Sequence, residues 1–338
     1  MAAPHGSRLT DNGTAPAARR RALELIRVPS ALGAPGRGNE AGPDALLAAG
    51  LAAVLANDGT AVRLGAVVPP PDPAGKPRTQ QRWDALAALC GHLAAESAAS
   101  LRAHRVPLVL GGDHSIAVGT WRGVAAGLKA PLGLLWIDAH LDAHTPEDSP
   151  SGNPHGMPVA MLLGEGDPRL AQPTIAPRHL CLLGARSWET AERERLARLG
   201  VRVIDHAEMW RRGAAAALAE AVSVVTAGTA GFGVSFDLDA FDPMEAPAVS
   251  SPAPGGLPAE TWLTALRGLG RHRQCRGVEL VECEPHRDRD GRSVTLACRL
   301  AQALFAADPP PGGRGDREPR TPDMAETLSD GKPASVTA

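Results

Sequence analysis

The stretch LLWIDAHLD, residues 134–142, is the strongest indication of the fold, because it joins an apolar run directly to regularly spaced polar side chains. Four large apolar residues in succession are typical of a strand that is buried on both faces of a parallel sheet. Polar side chains then follow at every second position, as Asp138, His140 and Asp142. Side chains alternate between the two faces of an extended chain, so these three point to the same side. The stretch predicts a buried strand with a polar cluster at its carboxyl end.

This polar cluster needs a positively charged partner. Two carboxylates and an imidazole that leave water together lose free energy for every charge that stays uncompensated. A metal ion held by Asp138, His140 and Asp142 would supply the missing charge. The alternative is a solvated acidic turn after the strand, which the apolar run and the regular alternation disfavour.

A second apolar run, residues 106–110, leads into GGDHS, residues 111–115. It places His114 at a glycine turn where a buried strand ends. Open α/β sheets bind their ligands at the carboxyl ends of the strands. A histidine at such a position is by itself more often structural or solvent-exposed. His114 is therefore a candidate metal ligand only in combination with the other polar clusters.

A third apolar run, residues 232–236, leads into Asp237 and Asp239, which again face one way. A further carboxylate, Asp242, precedes a proline. Proline ends an extended segment and aspartate favours turn initiation, so Asp242 is better explained as a turn residue than as a ligand.

Together these clusters supply six candidate ligands, which are too many for one tetrahedral zinc ion and suit two adjacent cations. Ligation dominated by oxygen, with one imidazole for each ion, favours Mn²⁺. Two such ions can share a water and lower its pKa for attack on a carbon electrophile. We therefore predict metal-assisted hydrolysis with two Mn²⁺ per chain, held by His114, Asp138, His140, Asp142, Asp237 and Asp239.

The rest of the chain alternates short apolar runs with longer segments of helical spacing, which predicts an α/β fold: a single domain with a mainly parallel sheet flanked by helices. The predicted strands are residues 23–28, 62–67, 106–110, 132–137, 179–183, 201–204, 231–236 and 277–281. The clearest predicted helices are residues 43–55, 81–103, 207–225, 259–271 and 294–305.

The predicted domain comprises residues 21–307. Residues 1–20 and 308–338 are polar and rich in proline, with no periodic apolar face, so we predict disordered tails at both ends.

Composition excludes several classes of protein. Of the 338 residues, 43% are hydrophobic, which is enough for a sizeable core. The formal net charge of −2 comes from 35 basic and 37 acidic residues, and without a long run of like charge neither nucleic acid nor a membrane surface is an expected partner. No stretch has the length of a membrane span, and the N-terminus lacks a signal-peptide pattern, so we expect a cytoplasmic protein.

The five cysteines are scattered and form no CxxC pair, which argues against a disulfide framework and against a zinc-thiolate site. We expect them to be reduced core residues.

Four motifs resemble, in the same order, the signature blocks of the ureohydrolase family, which includes arginases, agmatinases and formiminoglutamases. They are GGDHS (111–115), DAHLD (138–142), SGNPHG (151–156) and SFDLDAFDP (235–243). The joint occurrence of such unusual blocks is far more specific than a lone glycine motif. The resemblance extends over residues 23–305 and implies an arginase-like three-layer αβα fold with a binuclear Mn²⁺ cluster at the carboxyl edge of the sheet.

The resemblance also implies how the two ions are shared. One ion would be held by His114, Asp138, Asp142 and Asp237, and the other by Asp138, His140, Asp237 and Asp239. The implied reaction is hydrolysis of L-arginine to L-ornithine and urea, by attack of the metal-bridging hydroxide on the guanidinium carbon. Asp142 would accept a proton from that hydroxide.

Two further residues correspond to catalytic positions of the family. His155 would pass protons to the departing amine as a general acid; the alternative is a solvent-facing loop histidine. Glu282, in the block VECEP at 281–285, would pair with the planar guanidinium through two parallel hydrogen bonds. Without the resemblance, Glu282 reads as an ordinary charge at a strand end.

The expected substrate-binding residues are Ser151, Asn153, His144 and Glu189. The Ser-Gly-Asn segment at 151–153 resembles the feature of members that bind an α-amino acid, which favours arginine over agmatine. Glu189 lies near the family's acidic position for the α-amino group, although an acidic residue in the first turn of a helix explains it equally well.

Three positions depart from the arginase pattern. His144 stands where many arginases carry an asparagine that contacts the α-carboxylate, and a histidine can also donate a hydrogen bond there. Ser187 replaces a family aspartate, and Glu284 stands where an asparagine is common. These changes affect the choice of substrate and leave the predicted metal ligands intact.

Three alternatives remain open. A sibling ureohydrolase would use the same metals on agmatine, a guanidino acid or formiminoglutamate. A non-catalytic oligomeric member of the family is an alternative of another class, which the complete ligand set disfavours. A metal-dependent deacetylase would be expected to need one hydrolytic metal. By family analogy we expect a homotrimer or homohexamer acting on a small guanidino molecule.

Overall fold

Parallel strands form the centre of the computed structural model, which describes residues 21–57, 59–71 and 79–307. In this part of the chain there are eight strands, each within two residues of its predicted bounds. They are β1 (Leu23–Val28), β2 (Val62–Val67), β3 (Val106–Gly111), β4 (Leu132–Ile137), β5 (Leu180–Leu183), β6 (Arg202–Ile204), β7 (Gly231–Asp237) and β8 (Cys275–Val281).

Helices connect most of these strands. The described helices are α1 (Gly42–Ala48), α2 (Leu51–Asn57), α3 (Thr79–Arg102), α4 (Ala117–Leu128), α5 (Pro158–Leu163), α6 (Thr190–Leu199), α7 (His206–Arg212), α8 (Ala214–Thr226), α9 (Ala259–Ala265) and α10 (Arg292–Leu304).

Two predicted helices are interrupted at glycines. The segment 43–55 forms α1 and α2, which are separated at Gly50, and 207–225 forms α7 and α8, which are separated at Gly213. The φ angles of these glycines are 86° and 82°, a left-handed region that glycine enters without steric cost and that a continuous helix excludes. The segment 259–271 forms α9 followed by a separate 3₁₀ turn. The prediction of one continuous helix was therefore wrong in each case.

Helices α4, α5 and α6 go beyond the predicted set. Most of α4 is buried, including five consecutive residues from Ala117 to Trp121, so it lacks the polar face that gives a surface helix its periodic signal. Helix α5 is only six residues long.

The strand order β2-β1-β3-β8-β7-β4-β5-β6 explains where a site can form. All pairings are parallel, as predicted. Strands β3 and β4 are separated in the sheet by β8 and β7, the last two strands of the chain. The four central strands therefore end side by side and bring together loops that are distant in sequence.

Helices cover both faces of the sheet. On one face, strand side chains such as Leu108 and Phe236 pack in a core with Leu46 of α1, Trp262 of α9 and Leu300 of α10. On the other face, Val109 packs in a core with Leu89 of α3 and Met161 of α5, and Trp136 packs in another with Trp121 of α4. The fold is the three-layer α/β arrangement that the sequence predicts.

The described residues belong to one compact unit that extends to Ala307. The predicted tails, residues 1–20 and 308–338, lie outside the described residues. All five cysteines are free and buried, as predicted. A membrane-crossing helix, judged by length and hydropathy, is not found among the residues that the structure describes.

Candidate active site

The carboxyl ends of β3, β4 and β7 bring the six predicted ligands into two adjoining groups. In the first group, His114 Nδ1 lies 3.0 Å from Asp237 Oδ2, 3.1 Å from Asp142 Oδ2 and 3.3 Å from Asp138 Oδ2. All four of these side chains are buried. One ring nitrogen therefore faces three carboxylates at once.

The second group forms around His140, whose side chain is a quarter exposed. His140 Nδ1 lies 3.0 Å from Asp239 Oδ2 and 3.4 Å from Asp138 Oδ1. The two oxygens of Asp138 thus face different histidines, His114 through Oδ2 and His140 through Oδ1. Ligand atoms within each group, His114–Asp138–Asp237 and Asp138–His140–Asp239, lie within 4.8 Å of one another.

A close approach between backbones positions the loop after β3. A Cβ atom on Gly112 would lie 1.8 Å from the carbonyl oxygen of Ser30, so only glycine fits. The carbonyl of Gly112 also accepts a 2.8 Å hydrogen bond from the N–H of Glu282. This contact fixes the loop that carries His114 against the end of β8.

Two site residues have backbone conformations that are unusual for residues other than glycine. The φ angles of Asp142 and Glu282 are 48° and 65°, in the left-handed region that few residues other than glycine, asparagine and aspartate adopt. Such conformations cluster at functional sites, where surrounding contacts hold them in place. Both residues carry predicted catalytic roles.

The six predicted ligands of the two groups together form the inner group, and its electrostatics show a shortage of positive charge. Burial, together with the neighbouring charge of Asp138, raises the pKa of Asp142 to about 7. Burial and the charges of Asp239 and Asp138 also raise the pKa of Asp237 well above its usual range. Carboxyl groups with such pKa values hold cations well, because a divalent ion restores their ionised form. The donor set, dominated by carboxylate oxygen, therefore fits hard divalent cations.

Neighbouring side chains fix the orientation of His114. Its ring stacks on Trp136 with 4.1 Å between the ring centroids and an interplanar angle of 9°. Its second nitrogen, Nε2, lies 2.9 Å from the hydroxyl of Ser235. Trp136 Nε1 donates to Asp138 Oδ2 at 3.0 Å. Ligating histidines and carboxylates are usually oriented by such contacts.

His155 and Glu282, predicted from separate motifs, lie together. His155 Nδ1 is 3.2 Å from Glu282 Oε1, which also accepts from the backbone N–H of His114 at 2.8 Å. Glu282 Oε2 accepts from Asn39 Nδ2 at 2.5 Å. Burial lowers the pKa of His155, but the Glu282 carboxylate outweighs it and raises that pKa to about 9. The His155 ring therefore holds a proton at neutral pH.

A separate outer cluster consists of His144, Asp148, Glu189 and Glu192. His144 Nδ1 lies 3.0 Å from Asp148 Oδ1, and its Nε2 lies 2.9 Å from Glu189 Oε2 and 3.2 Å from Glu192 Oε2. Burial lowers the pKa of His144, but these carboxylates raise it to about 9. The structure brings His144 and Glu189 together, and both ring nitrogens of His144 face protein carboxylates.

The remaining predicted substrate residues lie on the loop before His155. Ser151 is exposed, and its hydroxyl accepts a 3.2 Å hydrogen bond from the N–H of Asn153. Asn153 Oδ1 accepts from the guanidinium of Arg82 at 3.3 Å. Arg82 also donates to the carbonyl oxygens of Leu32 and Ala34. These contacts tie the loop to the segment after β1.

The other residues singled out from the sequence have structural partners. Asp242 accepts from the N–H groups of Met244, Gly255 and Gly256, at 2.8 to 3.1 Å, so it is the turn residue that we predict. The N–H of Ser187 donates to the carbonyl of Ala139 at 3.0 Å.

Several residues of the site were not predicted from the sequence. Glu192 and Asp148 complete the outer cluster, Asn39 holds Glu282, and Arg186 donates to the backbone carbonyls of Asp239, Ala240 and Phe241 at 2.8 to 3.1 Å. Only Glu192 leaves a local signal. Its carboxylate accepts the Glu189 N–H at 3.0 Å, the pattern of an acidic side chain three residues after a helix N-cap.

Comparison with known proteins gives one consistent result. A family model described as Arginase family matches residues 21–306. The arginase of Brevibacillus brevis is 36% identical over 290 residues, which cover 84% of this chain and 97% of that protein.

Solved structures agree with the sequence match. The arginase of Bacillus caldovelox superposes with a TM-score of 0.80 at 34% identity, over 85% of this chain and 99% of that chain. A hypothetical agmatinase from Burkholderia thailandensis superposes with a TM-score of 0.67 at 26% identity, over 84% of this chain and 85% of that chain. With the family model matching most of its length, this chain belongs to the Arginase family and is a metal-dependent amidinohydrolase.

Proposed function

We propose that this chain hydrolyses L-arginine to L-ornithine and urea at a centre of two Mn²⁺ ions. The observation that carries the proposal is the position of Asp138, whose two oxygens face His114 on one side and His140 on the other. A carboxylate in that position could serve two adjacent cation sites. The arginase relatives, at up to 36% identity, favour arginine among guanidino substrates.

Six residues would hold the two ions. His114, Asp138, Asp142 and Asp237 would form the first site, and Asp138, His140, Asp237 and Asp239 the second. Two adjacent divalent cations supply a water of lowered pKa and Lewis-acid polarisation of the substrate. The protein contributes a buried, oriented donor set in which each imidazole faces at least two carboxylates.

Asp142 is the residue proposed to receive the proton of the attacking water. With ions bound, its carboxylate would be ionised, and an ionised carboxylate beside the attacking water can accept a proton as a general base. Its Oδ2 lies 3.1 Å from His114 Nδ1, at the first ion site.

His155 and Glu282 are proposed to act as a pair. With a pKa of about 9, His155 holds a proton that it can deliver to the departing amine. Nδ1 faces Glu282, so Nε2 is the atom that would deliver it. Glu282 Oε2 accepts from Asn39, and a carboxylate oxygen has a second lone pair with which it can accept from the guanidinium.

The outer cluster and the loop at 151–153 are proposed to hold the amino-acid end of the substrate. Asp148, Glu189 and Glu192 bring three negative charges against the positive charges of His144 and of Arg195, whose Nη2 lies 2.5 Å from Asp148 Oδ2. An excess of one negative charge favours a substrate ammonium group. Ser151 and Asn153 would position the adjacent carboxylate, as the resemblance implies.

Agmatine is the second candidate substrate, because His144 is already bound to protein carboxylates. Both ring nitrogens of His144 face protein carboxylates at 2.9 to 3.2 Å, so His144 must leave one of them before it can donate to a substrate carboxylate. Agmatine has the ammonium group and lacks the carboxylate. It would therefore bind without this rearrangement.

Urea release separates these possibilities. Purified protein loaded with Mn²⁺ is offered arginine, agmatine and 4-guanidinobutyrate in parallel, with chelator-treated protein as the control. We expect chelator-sensitive urea release, with the highest kcat/KM for arginine. Preference for agmatine would keep the reaction and change the substrate. Two bound ions with no urea from any substrate would indicate formiminoglutamate hydrolysis or a non-catalytic oligomeric role.

Two predictions from the sequence stay predictions: a cytoplasmic location, and assembly as a homotrimer or homohexamer.

A further inference from the structure

Glu279 is a fully buried carboxylate in the middle of the sheet that the proposed mechanism does not use. It lies on β8 with no exposed surface. Its Oε1 accepts from the hydroxyl of Ser235 at 2.8 Å, and its Oε2 accepts from the hydroxyl of Thr120 on α4. A buried charge is costly unless hydrogen bonds satisfy it, so this position needs an explanation.

The register of the sheet places Glu279 next to the metal centre. Trp136, Ser235 and Glu279 are paired across three neighbouring strands, β4, β7 and β8. His114 stacks on Trp136, and its Nε2 lies 2.9 Å from the Ser235 hydroxyl. A line of hydrogen bonds thus runs from Glu279 through Ser235 to His114.

The direction of this line follows from counting hydrogen atoms. Burial raises the pKa of Glu279, while the charge of His114 and hydrogen bonds from Thr120 and Ser235 lower it. A serine hydroxyl has one hydrogen to donate, and with Glu279 ionised that of Ser235 goes to the Glu279 carboxylate. Ser235 can then only accept from His114, so the ring hydrogen of a neutral His114 lies on Nε2. Nδ1 is left with a bare lone pair, facing Asp138, Asp142 and Asp237.

We propose that Glu279 is a positioning residue that, through Ser235, fixes His114 in the tautomer whose Nδ1 can bind a cation. The inference rests on the proposed metal centre and adds a residue that touches neither metal nor substrate. If the carboxylate is lost, the Ser235 hydroxyl is free to donate to Nε2. The ring hydrogen can then move to Nδ1 and compete with the ion.

Thr120 provides a matched control. It binds the other oxygen of the same carboxylate and is not in the line to His114. Thr120→Val therefore removes a hydrogen bond from Glu279 and leaves the bond between Glu279 and Ser235. A purely structural role for Glu279 would make Thr120→Val and Glu279→Gln similar in their effects on metal binding.

The experiment is a calorimetric titration of the metal-free full chain with Mn²⁺ alone. We expect two ions for the wild type and for Thr120→Val. In Glu279→Gln and Ser235→Ala we expect one of the two ions to bind about 10–100-fold more weakly, the usual range for residues that orient a metal ligand. The double variant should lose no more than Ser235→Ala alone, because both residues act through one hydrogen bond to His114.

Three outcomes bear against the inference in different ways. Wild-type affinity for both ions in Glu279→Gln would overturn it and leave the two-ion centre standing, as would equal losses in Thr120→Val and Glu279→Gln. A wild type that binds no Mn²⁺ would overturn the proposed centre as well. Circular dichroism of the metal-free variants checks folding. If Glu279→Gln does not fold, wild-type affinity for both ions in Ser235→Ala would overturn the inference, because the proposed line runs through Ser235.

Discussion

Two histidines of this protein have similar surroundings and different geometry. His114, in the inner group, and His144, in the outer cluster, each lie within 3.3 Å of three carboxylates. His114 faces all three through Nδ1 and directs Nε2 to the neutral hydroxyl of Ser235. His144 divides its carboxylates between both ring nitrogens.

The difference separates a cation site from a closed ion network. A single ring nitrogen carries at most one hydrogen, which cannot satisfy three carboxylates, so the inner group needs an added cation. An imidazolium with two N–H groups can serve carboxylates on both sides, which accounts for the raised pKa of His144. The ligand atoms of His144, Glu189 and Glu192 also lie within 4.8 Å of one another. Here the protonated ring of His144 supplies the positive charge, so the cluster does not need a metal ion.

The largest effect is expected when one carboxylate is removed from each region. Asp138→Asn should abolish detectable urea release and weaken the binding of both ions, because Asp138 faces both histidines. Asp148→Asn, the matched change in the outer cluster, should still bind two ions. Activity assays combined with Mn²⁺ titration check both variants, and metal loss in Asp148→Asn would contradict the assignment of the two regions.

Removal of His155, the proposed proton donor, should have the next largest effect. His155→Ala should bind both ions and lose about 10²–10⁴-fold in kcat, the usual contribution of a general acid. His92→Ala, at an exposed position on α3, is the control and should behave as the wild type. If His155→Ala loses metal instead, its proposed role in proton transfer is wrong.

The outer cluster should control selectivity with little effect on kcat. His144→Asn removes a positive charge from beside Glu189 and Glu192, so a substrate with only an ammonium group should gain over one with only a carboxylate. We expect the ratio of kcat/KM for agmatine to that for 4-guanidinobutyrate to rise about tenfold, equivalent to ~1.4 kcal/mol. An unchanged ratio would mean that the outer cluster lies outside the substrate's reach.

The smallest predicted effect is on stability in acid. Burial acts to raise the pKa of Asp148, but hydrogen bonds from Arg195, Thr145 and His144 lower it to about 2, below its ordinary 3.8. The stability that Asp148 contributes is therefore present above about pH 4 and is lost as the pH falls towards 2. Thermal midpoints of the wild type and Asp148→Asn, measured from pH 6 to pH 3 with chelator, should differ by a few degrees and converge below pH 4. A constant difference would contradict the lowered pKa.

Sequence patterns predict the inner group well, because each ligand follows directly from a strand end. Buried parallel strands are continuous apolar runs, and alternation in an extended chain indicates which polar residues share a side, as in Asp138, His140 and Asp142. Parallel strands have their carboxyl ends at one edge of the sheet, and the central order β3-β8-β7-β4 brings the three motifs together at that edge.

The outer cluster was harder to predict, because its contacts depend on how distant loops meet. Glu192 lies on α6, and nothing in the local pattern places it within 3.2 Å of His144 Nε2. Asp148 lies in a long loop without periodicity. Glu279 has the spacing of a buried strand residue, and only the pairing of β7 with β8 shows that it reaches Ser235.

The most direct test of the central claim is the number of Mn²⁺ ions per chain, measured by elemental analysis after gel filtration, in the wild type and in His144→Asn. We expect two ions in both proteins, because the proposed ligands all belong to the inner group and His144 already neutralises the outer cluster. Fewer than two ions in the wild type, or an ion that disappears with His144→Asn, would contradict it.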